Sequence, residues 1–218
     1  NHLGFCYDLG KGVHKDENEA FEYYQLAANQ GHGRGQNNLG ICFENGEGGD
    51  NLKEALRMCH ANQGSPDDKQ NLGLMNVDGQ AIDVGIKEAI RLYRLSVMQG
   101  TAAGPHNLGH CFLSGKGVDK DINEATRLFR LAANQGYALA QRSLGWCYQN
   151  GQVVDADMNE AVRWYVLSAN QGNPSGQCIL ARCYAKGEGV DMDMREAIRL
   201  YRLSAGQGYP DGQTSLGV

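Results

Sequence analysis

Apolar side chains recur along this chain at helical, not strand, spacing. Between residues 137 and 171, Ala140, Leu144, Cys147 and Tyr148 fall at i, i+4, i+7 and i+8, the stripe of an amphipathic helix. A second stripe follows at Ala161, Trp164, Tyr165, Ser168 and Ala169. We term the first kind helix A and the second helix B. Helix B recurs as Ala125, Leu128, Phe129, Ala132, Ala133 and as Ala197, Leu200, Tyr201, Ser204, Ala205. Helix A is marked by a Leu-Gly pair at Leu3-Gly4, Leu39-Gly40, Leu72-Gly73, Leu108-Gly109, Leu144-Gly145 and Leu216-Gly217, with Leu180-Ala181 in the remaining slot. The steps are 36 residues except for one of 33. A fixed period of this length predicts stacked two-helix units, each burying its apolar stripe on the next copy.

The polar positions punctuate the same period. Asn173-Pro174 and Ser65-Pro66 place a capping side chain before Pro at the first helical position, and Thr101 takes the capping slot in its unit. Glycine loops such as Gly115-Lys116-Gly117-Val118 end helix A, because Gly adopts the left-handed conformation a helix C-terminus requires. Asp16…Glu19, Asp121…Glu124, Asp157…Glu160 and Asp193…Glu196 open helix B in the pattern of a capping box, with Asp and Glu each serving the other's end. Asn134-Gln135-Gly136 closes it. A Gly inside helix A, as at Gly109 or Gly145, costs about 1 kcal/mol relative to Ala. Close approach of helix B offsets that cost.

With Ala140, Leu144-Gly145, Tyr148, Gly151, Val154, Asp157, Glu160-Ala161, Trp164-Tyr165 and Gln171-Gly172 in register, the chain resembles the Sel-one-like repeat (SLR) family, relatives of the tetratricopeptide repeat. The likeness runs through about six units and essentially the whole chain. It implies an all-α fold, a right-handed α-α superhelix of helix-turn-helix repeats of ~36 residues, with helix A on the concave side. It also implies adaptor work in signalling, protein quality control or host–microbe contact. The unit bounds read as 1–31, 32–64, 65–100, 101–136, 137–172 and 173–208, with 209–218 opening a further helix. All belong to one array. Both ends fall at the same phase of the repeat without a polar capping unit, so a segment of a longer protein is expected.

Two units depart from the pattern. Helix B of the second, Glu54 to Gly64, is two residues short, about 200° of helical rotation. The third has Asn76 in an aromatic slot, Gly79-Gln80-Ala81-Ile82 in place of Gly-x-Gly-Val, and Gly85…Glu88 in place of the Asp cap. These read as a degraded repeat, with a hinge or local change of curvature as the alternative.

Composition narrows the chemistry. The net charge is -5, which argues against a nucleic-acid partner. No apolar run approaches the ~20 residues of a membrane span. Cys6, Cys42, Cys111, Cys147 and Cys183 share one slot three residues after the Leu. They lie a repeat apart, too far to bridge, and are expected as reduced core thiols. Together with the lack of a signal peptide and of a usable Asn-x-Ser/Thr sequon, this points to the cytoplasm. His106 and His110 share a helix face at i, i+4 spacing, as zinc ligands do, but no Glu stands between them and no third ligand is evident, so no metal site is expected. The loops lack Walker spacing, and no nucleophile–base set or paired carboxylates recur, so neither catalysis nor a cofactor is expected. Arg91/Arg94, Arg127/Arg130, Arg163 and Arg199/Arg202 mark a solvated outer face of helix B.

The slots two before, two after and five after each Leu vary between units. We expect them to face away from helix B and to bind a partner protein or peptide. Candidate contacts are Trp146, Arg142, Arg182, His106, His110, Leu74, Asn37 and Ile41. Trp146 with Arg142 and Arg182 forms the anchor, since aromatic and Arg side chains dominate hot spots. The expected function is a non-enzymatic interaction scaffold. The alternative is a regulatory or substrate-recruiting module of a larger enzyme or membrane-associated complex whose catalytic part lies elsewhere.

Overall fold

A computed structural model describes residues 2–48, 51, 52, 55, 80–152 and 156–216. Among the described residues eleven helices form: α1 (His2–Leu9), α2 (Glu17–Asn29), α3 (Gly33–Asn45), α4 (Gln80–Met98), α5 (Ala103–Ser114), α6 (Ile122–Asn134), α7 (Ala138–Gln149), α8 (Met158–Asn170), α9 (Pro174–Lys186), α10 (Met194–Gly206) and α11 (Pro210–Leu216). No strand forms among the described residues. The helices gather into two compact units, residues 1–120 and 121–218.

The second unit follows the repeat closely. Each helix from α6 to α11 packs on the next, and the A helices α7, α9 and α11 also neighbour one another in turn. Asp157 and Asp193 cap α8 and α10 by accepting backbone N–H groups of the first turn, and Asn173 caps α9 ahead of Pro174. The reciprocal half of the expected capping box is replaced. The Asp157 and Asp193 backbone N–H groups donate to the carbonyls of Tyr148 and Tyr184, each at 3.0 Å. With that donor satisfied, Glu124, Glu160 and Glu196 pair instead with Arg127, Arg163 and Arg199 one turn on, at 2.6–3.0 Å. Three arginines of the helix B stripe, Arg127, Arg163 and Arg199, are therefore paired on the outer face of this unit. The pairs are exposed and contribute little, about 0.3–0.5 kcal/mol each.

The interior of this unit is built from small and amide side chains. A Cβ on Gly145 would stand 2.6 Å from the Tyr165 ring and 3.0 Å from the Ala161 carbonyl, so Gly is what lets α8 approach α7. Tyr165 is fully buried and donates its hydroxyl to Gln149 Oε1 at 2.7 Å. Burial raises its pKa. Ser168 and Ser204 donate to the carbonyls of Ala138 and Pro174, both at 2.8 Å. Gln171 donates to Gln141 Oε1 at 2.7 Å, and Gln141 donates onward to the Ala133 carbonyl at 3.3 Å. Gln207, Gln177 and Ala169 repeat the relay. One amide per unit thus joins the helix B behind it to the helix B ahead.

The first unit starts in the same way. Gly4 receives the Tyr24 ring, and Tyr24 donates to Asp8, 16 residues away. Then the pairing changes. α3 packs on α2 and α4, and the ring seated over Gly40 is Tyr93 of α4. Tyr93 donates to Glu44, 49 residues away, at 2.5 Å. Helix A of the second repeat therefore pairs with helix B of the third. The short helix B of the second repeat, apart from Ala55, and Ser65-Pro66 lie outside the described residues. Gln80 already lies in α4, which runs through 80–98, so no loop separates 80–82 from helix B and Gly85 lies inside the helix. The second loop glycine is replaced by Ala81, and Gly85 stands where other units place a capping Asp. Thr101 is likewise not the cap of α5. Ala102 precedes that helix, and the Thr101 hydroxyl bonds Ser96.

Candidate functional site

The candidate residues separate by burial. Trp146 of α7 is 39% exposed. Arg142 stands one turn before it, half-buried, and Arg182 is exposed on the neighbouring α9. Both guanidinium groups lie close enough to Tyr165 to act on its hydroxyl electrostatically. Nε of Arg142 is buried and has no acceptor among the described residues. Neither α7 nor α9 contains an acidic residue; Asp211 of α11 acts on Cys178 of α9 alongside Arg182.

In the first unit the candidates turn inward. Asn37 and His106 are buried at 4% and 6% exposure, and Ile41 and His110 are half-buried. Asn37 Oδ1 accepts from Asn107 Nδ2 at 2.9 Å. Leu74 lies outside the described residues. The slot five after the Leu does not face away from helix B: Asp8, Glu44 and Gln149 there accept the helix B tyrosine hydroxyls. The sequence signal was present, since a polar residue recurs in that slot opposite a Tyr twenty-one positions after the Leu. The amide relay of Gln141 and Gln177 was also missed, although Gln recurs three before the Leu in several units.

The thiols of Cys6, Cys42, Cys111, Cys147, Cys178 and Cys183 are free. Burial pushes Cys42 and Cys111 up to about 12 and Cys183 to about 11. At neutral pH they are protonated apolar groups, not nucleophiles. Among the described residues no group of three or more His, Cys, Asp or Glu gathers. No described helix is long and apolar enough to cross a membrane.

An all-α array of stacked helix pairs defines an α-α repeat protein. The Sel1 repeat family matches at residues 1–32, 33–60, 70–101, 106–137, 138–173 and 174–209, and the chain belongs to that family. A Sel1 repeat protein from Oxalobacter formigenes is 30% identical over 99% of this chain and 73% of its own, with a TM-score of 0.71. The protein c5321, a protective antigen present in uropathogenic Escherichia coli strains and displaying an SLR fold, is 33% identical over 99% of this chain, with a TM-score of 0.60. The chain spans 47% of that antigen's length. No curated protein matches the chain. Sel1 repeat proteins generally act as non-catalytic protein-interaction scaffolds.

Proposed function

We propose that this chain is an adaptor that holds a partner protein or peptide against the A helices of its second unit, anchored on Trp146, Arg142 and Arg182. The observation that carries this reading is the exposed indole beside two guanidinium groups that no carboxylate of their own helices neutralises. On the helix B face, by contrast, Arg127, Arg163 and Arg199 each pair with a Glu one turn before. An apolar side chain flanked by acidic groups is the complement of such a face. On this reading the chain contributes recruitment to whatever larger assembly contains it.

The test is affinity capture from the source organism with the intact chain, with Trp146→Ala/Arg142→Glu/Arg182→Glu, and with Arg163→Glu on the helix B face. A partner retained by the intact chain and by the Arg163 variant, and lost from the triple variant at equal melting temperature, supports the reading. Equal capture by all three overturns it.

A further inference from the structure

His106 and His110 stand one turn apart on α5 with their Nε2 atoms 3.2 Å apart. The rings meet edge to face, with centroids 4.6 Å apart. Hydrogen bonds fix the tautomer of His106. Asn37 Nδ2 donates to Asn38 Oδ1 at 3.5 Å, so Asn37 Oδ1 is the acceptor for Asn107 Nδ2 at 2.9 Å. The Asn107 amide then turns its oxygen to His106 Nδ1 at 3.2 Å. An amide oxygen only accepts, so Nδ1 carries the proton and Nε2 presents its lone pair towards His110. In the resting state His110 fills that space with its own Nε2–H.

Two imidazole nitrogens at this separation also form one edge of a metal coordination shell. With metal–nitrogen bonds of about 2.0–2.1 Å, the separation subtends roughly 100° at an ion, between octahedral and tetrahedral values. The Asn107 oxygen supplies what ligating histidines ordinarily use, an acceptor for the second ring N–H. We propose that His106 and His110 form a bidentate site for a divalent transition-metal ion, copper(II), nickel(II) or zinc(II), bound through both Nε2 atoms. On binding, His110 shifts its proton from Nε2 to Nδ1, and the ion takes the place of that proton. Two protein ligands leave coordination positions for water or for a side chain of a partner. His106 is 6% exposed and His110 is half-buried, so the ion enters past His110. The site is independent of the Trp146 surface.

The probe is nickel(II) alone, titrated into the intact reduced chain and into His110→Gln and Asn107→Ala, with calorimetry and imidazole NMR as readouts. Nickel suits imidazole and is less drawn to thiols than copper(I) or zinc. We expect one equivalent in the intact chain, with the His106 and His110 resonances broadening before those of His2, His14, His32 and His60. His110→Gln loses that equivalent. Asn107→Ala keeps both ligands and binds about tenfold or more weakly. The NMR order in the intact chain and the Asn107 variant keep the test decisive if His110→Gln fails to fold. Uptake unchanged in both variants, broadening that begins at the other histidines, or no uptake at millimolar nickel overturns the site.

Discussion

The two units of this chain solve the same packing problem with different regularity. In residues 121–218 every buried amide of the relay has its partner: Gln171 to Gln141 to Ala133, and Gln207 to Gln177 to Ala169. In residues 1–120 the equivalent Gln36 has a buried Oε1 with no partner among the described residues. The tyrosine clasp shows the same contrast, spanning 16 residues for Tyr24–Asp8 and Tyr165–Gln149 but 49 for Tyr93–Glu44. The clasp between Tyr and the slot five after the Leu survives a change of partner helix, whereas the amide relay does not. A ring seated over a glycine is specified by shape, which any helix B with Tyr in phase satisfies. A chain of directional hydrogen bonds needs consecutive repeats in register.

The largest effect that tests this contrast is expected at the buried ring. Tyr165→Ala empties a fully buried socket and costs about 3–5 kcal/mol, read as a fall in the urea midpoint. Tyr93→Ala is expected to be as severe, because Tyr93 is equally buried in its borrowed socket. If Tyr93→Ala were neutral, the pairing of α3 with α4 would be wrong. Gly145→Ala is next, at about 1–3 kcal/mol, because the new Cβ meets a backbone carbonyl at 3.0 Å that cannot step aside. Gly40→Ala is milder, since its backbone neighbour stands at 3.4 Å.

The amide relay separates the units by sign. Gln141→Leu leaves the buried Ala133 carbonyl and the exposed Gln171 amide without their partners and costs about 1–3 kcal/mol. Gln36→Leu removes an oxygen that has no partner among the described residues, and is expected to be neutral or stabilising in the same melt. Alkaline titration gives a graded effect. The folded-state pKa values of Cys42 and Cys111 lie near 12, above the ordinary thiol value of 9.0. The unfolded chain therefore loses these protons first, and stability that is complete below pH 9 falls progressively towards pH 12. Cys111→Ser should flatten that fall in urea titrations at pH 8, 10 and 11. The smallest effect is expected at Trp146→Ala, under about 1 kcal/mol in stability, because the indole is 39% exposed.

Most of the helices were legible in the sequence because the repeat states each signal several times. Asp at the start of helix B, Asn-Pro before α9 and Gly at both helix ends all act locally, and local chemistry does not depend on which helix is the neighbour. The pairing of α3 with α4 was not legible. A short helix B and missing loop glycines say that a unit is irregular, but the helix that replaces it is chosen by a long-range fit between Gly40 and Tyr93. The site was legible in part. Trp146 stands out because packing does not demand it. Asn37 and His106 occupy the slot two before the Leu, which is buried at Cys178 and half-buried at Arg142 as well, and the variation of that slot between units gave no sign of its burial.

The docking claim is tested most directly by placing a photo-crosslinking amino acid at position 146 and, in a second protein, at position 163, then irradiating each in the source cells. Adducts with a discrete partner from position 146 and none from 163 are the predicted result. Adducts from 163 with none from 146 would contradict the account.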